Sequence, residues 1–340
     1  MSGLPMIGYV LRRLLQSIGI LLLISLVLFF GMQLVPGGPM QAFSQNPRMS
    51  QITRLAIIHR WGLDQPLYLQ YYKWFTSMLT GDWQFSFLGG RPVKELILTH
   101  LPATLLLMGV SYLVAELIAL PSGIYAALKR YSFFDQFITF FSYVGYSMPT
   151  FFLGLVLLFV FGVFLKVLPT SYIIDVGVAG TSFLSPDYGV YFSHHTVQAI
   201  LDIGRHLILP ATTIAVVTIA ADSRFMRASM LDAIHQDYMR TARAKGLPER
   251  TVVYKHGLRN ALLPVITNIG LELPLLFSGA IVTEAIFTWP GMGQLFFGAL
   301  GDFDYPLMMG ILFVSAILIV LGNLFADIMY AVIDPRISYA

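Results

Sequence analysis

The sequence contains no cysteine. Disulfides, thiolate metal sites and a cysteine nucleophile are therefore excluded. Charge is also scarce, with Asp, Glu, Lys and Arg at 11%, where soluble domains carry about 25%. The net charge of +3 is small, so no nucleic-acid partner is suggested. There is no G-x-x-x-x-G-K-[ST], no H-E-x-x-H and no G-x-S-x-G. The chain is read as not an enzyme, with no cofactor and no metal of its own.

What the chain has in excess is apolar character: 56% hydrophobic residues and a mean hydropathy of +0.73. This predicts an all-α polytopic membrane protein, because helices satisfy their own backbone groups in lipid. Six spans are expected. Leu14–Val35 gives 22 uncharged residues after Arg12 and Arg13. It is read as a retained first span, being too long for a signal-peptide core. Leu101–Leu128 follows. Phe137–Leu165 gives 29 uncharged residues around Pro149. Leu207–Ala221 is the shortest. Ala261–Thr283 contains Glu272, and Leu307–Ala326 gives 20 uncharged residues. Pro121, Pro149 and Pro274 predict kinks.

With the N-terminus inside, the inner segments hold 13 of the 21 Lys and Arg residues, and the long outer segments 36–100 and 166–206 hold eight. The positive-inside rule favours that orientation, with both termini cytoplasmic. The organisation expected is 1–35 as the N-terminal end and first span, 36–100 as a large extracytoplasmic loop, and 101–340 as a core of five spans.

Ionisable groups inside spans are costly and often functional. Glu116 and Glu272, with Asn268 one turn before Glu272, are candidates to line a translocation pathway or to pair between helices. They read as two isolated glutamates. Asp327 and Asp334 read as caps or partners of Arg336. The histidines, including His59, His100, His194 and His195, read as solvated loop residues.

The stretch 241–264, "TARAKGLPERTVVYKHGLRNALLP", is polar and lies between apolar segments. Good helix formers precede Gly246, which sits where a helix end takes a left-handed residue. Pro248 and Glu249 suit the first turn of a second helix, which is expected to run to Pro264. Charge alone would serve topology, but the pattern predicts helix, glycine turn, helix.

These residues resemble the inner-membrane permeases of ATP-binding-cassette (ABC) importers, whose cytoplasmic loop is written EAA-x3-G and ends in Leu-Pro. Gly246 matches the glycine, and Leu263-Pro264 the ending. The EAA positions fall on Arg240, Thr241 and Ala242, of which only Ala242 keeps the general wording. "YMRTARAKGL…HGLRNALLP" is similar to the oligopeptide, dipeptide and nickel branch. So are "RRLLQSIGILLLISLVLFFGMQLVPGGP", 62–86, 91–107, 284–306 and "DIMYAVIDPRI", although Gly38 stands where an acid is usual.

The resemblance implies a transmembrane permease for di- or oligopeptides, with nickel or another small solute as the alternative within the branch. It implies a coupling loop within 224–264 carried by Arg240, Thr241, Ala242, Arg243, Ala244, Lys245, Gly246, Leu247, Leu263 and Pro264. Arg240 and Arg243 are expected to contact ATPase or lipid phosphates. Implied partners are a second, homologous permease, two ATPase subunits holding ATP and Mg, an extracytoplasmic substrate-binding protein that docks at least partly on 36–100, and membrane lipid. The competing class is an ion-gradient-driven transporter, for which clustered acids or broken helices would speak.

Overall fold

The computed structural model describes residues 3–34, 58–59, 62–87, 90–175, 185–272 and 280–333. These form helices α1 (Gly3–Gln33), α2 (Leu67–Thr80), α3 (Val93–Leu128), α4 (Phe133–Ser147), α5 (Thr150–Leu157), α6 (Pro186–His194), α7 (Thr196–Ile234), α8 (Asp237–Ala244), α9 (Glu249–Thr251), α10 (Leu258–Glu272), α11 (Ile281–Ile286), α12 (Met292–Gly301) and α13 (Tyr305–Ile333). Two π-helical segments, Leu158–Phe164 and Val252–Gly257, extend α5 and α9. Among the described residues the only β pairing is an isolated bridge between Phe85 and Pro92.

By length and composition, four helices among the described residues can cross a membrane: Leu11–Gln33 of α1, α3, α7, and Tyr305–Asp327 of α13. The bent pair α4–α5 would make a fifth. The expected span Ala261–Thr283 includes 273–279, which lie outside the described residues, Pro274 among them. Its described helix, α10, has 15 residues.

Two expected spans change shape. The apolar run around Pro149 is two helices bent by 102°, not one kinked span. Proline lacks an N–H and drives its predecessor out of the α region; Met148 accordingly adopts φ −84°, ψ 124°. Helix α4 also begins before Phe137, at Phe133. Ser132 caps it, its Oγ accepting from the Asp135 N–H at 3.2 Å. Hydropathy alone excludes Asp135, but Arg227 neutralises it through Nε–Oδ1 and Nη2–Oδ2 bonds of 2.6 and 2.9 Å. The short span Leu207–Ala221 lies within the 39-residue α7. That helix runs on through charged residues at both ends of the apolar run. Asp202 accepts from the Asp175 N–H at 2.8 Å, and Arg224 lies over the rings of Tyr143 and Tyr146. By contrast, α3 continues through Pro121 without a break.

The chain divides into two compact units. The first comprises 1–104, 277–281 and 290–340. Here α1 packs along α13, tied by an Arg13–Asp327 ion pair of 3.3 Å and by Tyr305 Oη donating to the Met32 carbonyl at 2.6 Å. Asp327 thus pairs with Arg13, while Asp334 and Arg336 lie outside the described residues. Helix α2 of the 36–100 segment closes on this pair. Trp74 and Met78 are buried with Phe29, Met309 and Phe313, whereas Tyr68 and Tyr72 remain exposed.

The second unit comprises 105–276 and 282–289. Its centre is α7, packed by α4, α5 and α10. Small residues set the spacing. A Cβ on Gly123 of α3 would lie 2.5 Å from the Ser223 carbonyl oxygen, and one on Gly145 of α4 would lie 3.3 Å from Ala220 Cβ.

Candidate functional site

Two features of the second unit carry chemistry. The first begins where α7 ends. Helix α8 turns one apolar side inward: Met239 and Ala242 are buried against Val252 and Ile234. Met226 and Met230 of α7 pack with Val253, Ala261 and Val265. Gly257 leaves room here, since a Cβ at that position would meet Met239 Cε at 3.1 Å and Met230 Cε at 3.5 Å. The opposite side is open. Arg240, Thr241, Arg243, Ala244, Lys245, Gly246 and Leu247 are exposed, as are Leu263 and Pro264, while Ala242 is buried.

Gly246 has φ +72°, and a Cβ placed there would meet nothing within 4 Å. The turn therefore demands glycine for its backbone, not for space. Across this turn Arg243 grips Glu249, Nη2–Oε1 at 2.8 Å and Nε–Oε2 at 3.1 Å. The guanidinium holds the Glu249 carboxyl below its usual range, and Glu249 raises Arg243 in turn. Arg243, expected at phosphates, thus already has a carboxylate partner within the loop. Arg240 makes a 3.6 Å contact with Asp237. The second helix does not stop at Pro264 either. Helix α10 begins at Leu258 and includes that proline.

The second feature joins residues far apart in sequence. Glu116 of α3, Asp222 of α7 and Glu272 of α10 each bring a carboxylate oxygen within 4.8 Å of the others. Asn268 Nδ2 donates to Glu272 Oε1 at 2.8 Å and approaches Asp222 Oδ1 at 3.4 Å. Tyr112 Oη donates to Glu272 Oε2 at 3.2 Å. Glu272 is thus engaged at both oxygens. Both oxygens of Glu116 and Oδ2 of Asp222 are buried without a hydrogen-bond partner among the described residues. The glutamates are therefore not isolated. Sequence reading missed Asp222, which stands one residue past the apolar run ending at Ala221. The available signal was a third acid bordering an apolar stretch, together with Ser223, whose Oγ bonds Ser142 Oγ at 3.1 Å.

Three of the four histidines read as solvated loop residues have local partners, and one of these, His100, lies half-buried in α3 and not in a loop. His59 bonds Asp64 at 2.8 Å, His100 the Leu96 carbonyl at 2.7 Å, and His195 stacks on Tyr191.

Two family models match the chain. Residues 119–339 match the binding-protein-dependent transport system inner membrane component, and residues 6–108 match the N-terminal part of such membrane components. The oligopeptide transport system permease protein AppB of Bacillus subtilis is 44% identical over 98% of this chain and all of its own length. The di/tripeptide transport system permease protein DppB of Pseudomonas aeruginosa is 37% identical, and the dipeptide transport system permease protein DppB of Escherichia coli 35%. Each of those matches covers 98% of this chain and 99% of the relative. Matches that run end to end, on a helical chain with several apolar helices, mean that this protein belongs to the inner-membrane components of binding-protein-dependent transport systems.

Proposed function

We propose that the chain is one permease subunit of an ATP-driven importer of di- or oligopeptides. The observation that carries this reading is the full-length similarity to permeases named for oligopeptides, di/tripeptides and dipeptides. Six spans, with both termini on the cytoplasmic side, would put 36–100 outside for a binding protein and 224–264 inside for an ATPase. Each side of a heterodimer of permeases would then meet one of two ATPase subunits. The shape of α8, Gly246 and α9, buried on one side and open on the other, suits a docking element.

The chain would work by alternating access. ATP closes the ATPases, the loop moves with them, and the permease pair opens outward. Such a shift requires ATP to bind one state better than the other. This chain's own part is to receive the motion at α8 and pass it through Met239, Val252 and Met230 to α7 and α10. Clustered acids and a broken helix are features of ion-driven carriers too, and both occur here. The family match favours the ATP-driven class.

The test is uptake of labelled dipeptide by proteoliposomes holding both permeases, the ATPases and the binding protein. ATP-dependent uptake that survives an ionophore collapsing all gradients is expected. Uptake abolished by the ionophore while ATP stays high would refute the proposal.

A further inference from the structure

We propose that Glu116, Asp222 and Glu272 form a seat for a primary ammonium group, which under the peptide reading above is the amino terminus of the passing substrate. Two independent observations meet at this place. One is convergence: carboxylates from α3, α7 and α10 bring oxygens within 4.8 Å of one another. The other is unspent capacity. The Asp222 residue is only 3% exposed, yet its Oδ2 has no partner among the described residues, and neither oxygen of Glu116 has one. Buried carboxylates left without donors are costly. A polar site that the chain itself only half satisfies is completed by a ligand carrying the missing donors.

The neighbouring cations do not supply them. Arg224 lies over the rings of Tyr143 and Tyr146, at 5.3 and 4.8 Å, and Arg227 is held by Asp135. The donor count then selects the ligand. Tyr112 and Asn268 already occupy both oxygens of Glu272. Three buried oxygens remain, two on Glu116 and one on Asp222; these two carboxyls are close enough to share a proton when the seat is empty, and a primary ammonium that displaces it carries three N–H donors. A hard metal ion asks for more. Calcium takes about six to eight oxygens and magnesium a near-ideal octahedron, whereas here two groups already direct hydrogens toward Glu272. The seat would hold the charged end of a peptide while leaving its side chains unread.

The test uses the purified transporter complex without binding protein, so that only the permease can discriminate. Esterification of Glu116 and Glu272 by a diazo reagent, a label that free amines do not intercept, is followed by mass spectrometry, with dialaninamide, N-acetyl-dialaninamide or Mn²⁺ added. Dialaninamide is expected to slow labelling roughly tenfold at about ten times its Kd, while the acetylated compound has no effect. In E116Q the remaining label on Glu272 should lose that protection, and E116D should keep it. Equal or absent protection by the two amides would make the cluster purely structural and overturn the assignment. Protection by Mn²⁺ but not by the amine would make it a metal site, with the same result. Protection by the amine in a transporter that imports no dipeptide would leave the ammonium seat standing and refute the peptide reading alone.

Discussion

Asp304 in the first unit and Asp222 in the second are equally hidden, each 3% exposed. Their surroundings differ. Asp304 receives the Ser86 hydroxyl, the Phe87 N–H at 3.1 Å and the Leu307 N–H at 3.3 Å, so one carboxylate pins Ser86 and Phe87 to the start of α13. Asp222 has one long contact from Asn268 and shares its space with two more acids. The first carboxylate is a fastener. The second is a liability for stability, and its retention in a packed helix needs another reason. Burial alone therefore does not tell structural acids from functional ones; the number of donors does.

The largest expected effect separates these two. Asp304→Ala removes an acceptor from two backbone N–H groups and a hydroxyl and should cost about 3 kcal/mol, read as a lowered unfolding temperature of the detergent-purified complex. Asp222→Asn removes an uncompensated charge and should leave that temperature unchanged or higher. An equal fall in both would erase the contrast. Next comes Gly123→Ala, which drives a carbon into the Ser223 carbonyl and should destabilise by about 1–3 kcal/mol. Gly19→Ala in α1, with nothing within 4 Å, should be neutral by the same measurement. Gly246→Val places a branched residue at φ +72° and should cost about 1–2 kcal/mol locally. It is expected to lower ATPase co-purification without changing permease levels in the membrane, and unaltered co-purification would count against a docking role.

The smallest effect is Glu249→Gln. The pair with Arg243 is exposed and worth less than about 1 kcal/mol. Because the Glu249 carboxyl is held below its usual range, its contribution is present above the unfolded glutamate value and disappears as the pH falls through the depressed one. Hydrogen exchange of the 243–249 amides should show protection at neutral pH that weakens on acidification in the native chain. E249Q should show the weaker protection throughout.

Much of this was legible in the sequence because it is local. The first, second and last long apolar helices follow from apolar runs, the second broken only by Glu116, and the left-handed Gly246 follows from helix formers before it and Pro248 after it. What was hidden depends on partners remote in the chain. Asp135 could join α4 only because Arg227, on another helix, meets it. The true length of α7 was masked by charges whose partners cannot be read along one strand of text. Asp222 lay beyond the edge of a hydropathy window, and its distance to Glu116 is a property of packing. The depth of the break at Pro149 was underestimated for a related reason: the proline fixes where the helix ends, whereas neighbours fix the angle.

The methionines under α8 have a mechanical consequence. Met239 reaches into the space left by Gly257, and Met230 fills the same space from α7. Thioether side chains are pliant, but here two of them crowd the place a Cβ would take. A load on the open side of α8 is therefore received by filled volume, with little free travel before α7 and α10 bear it. The exposed Arg243–Glu249 pair spans the turn but adds little to that stiffness. Under the docking role proposed above, the assembly would behave as a gasketed joint: stiff in compression, tolerant of small rotation, and spoiled by any substitution that lets it rattle.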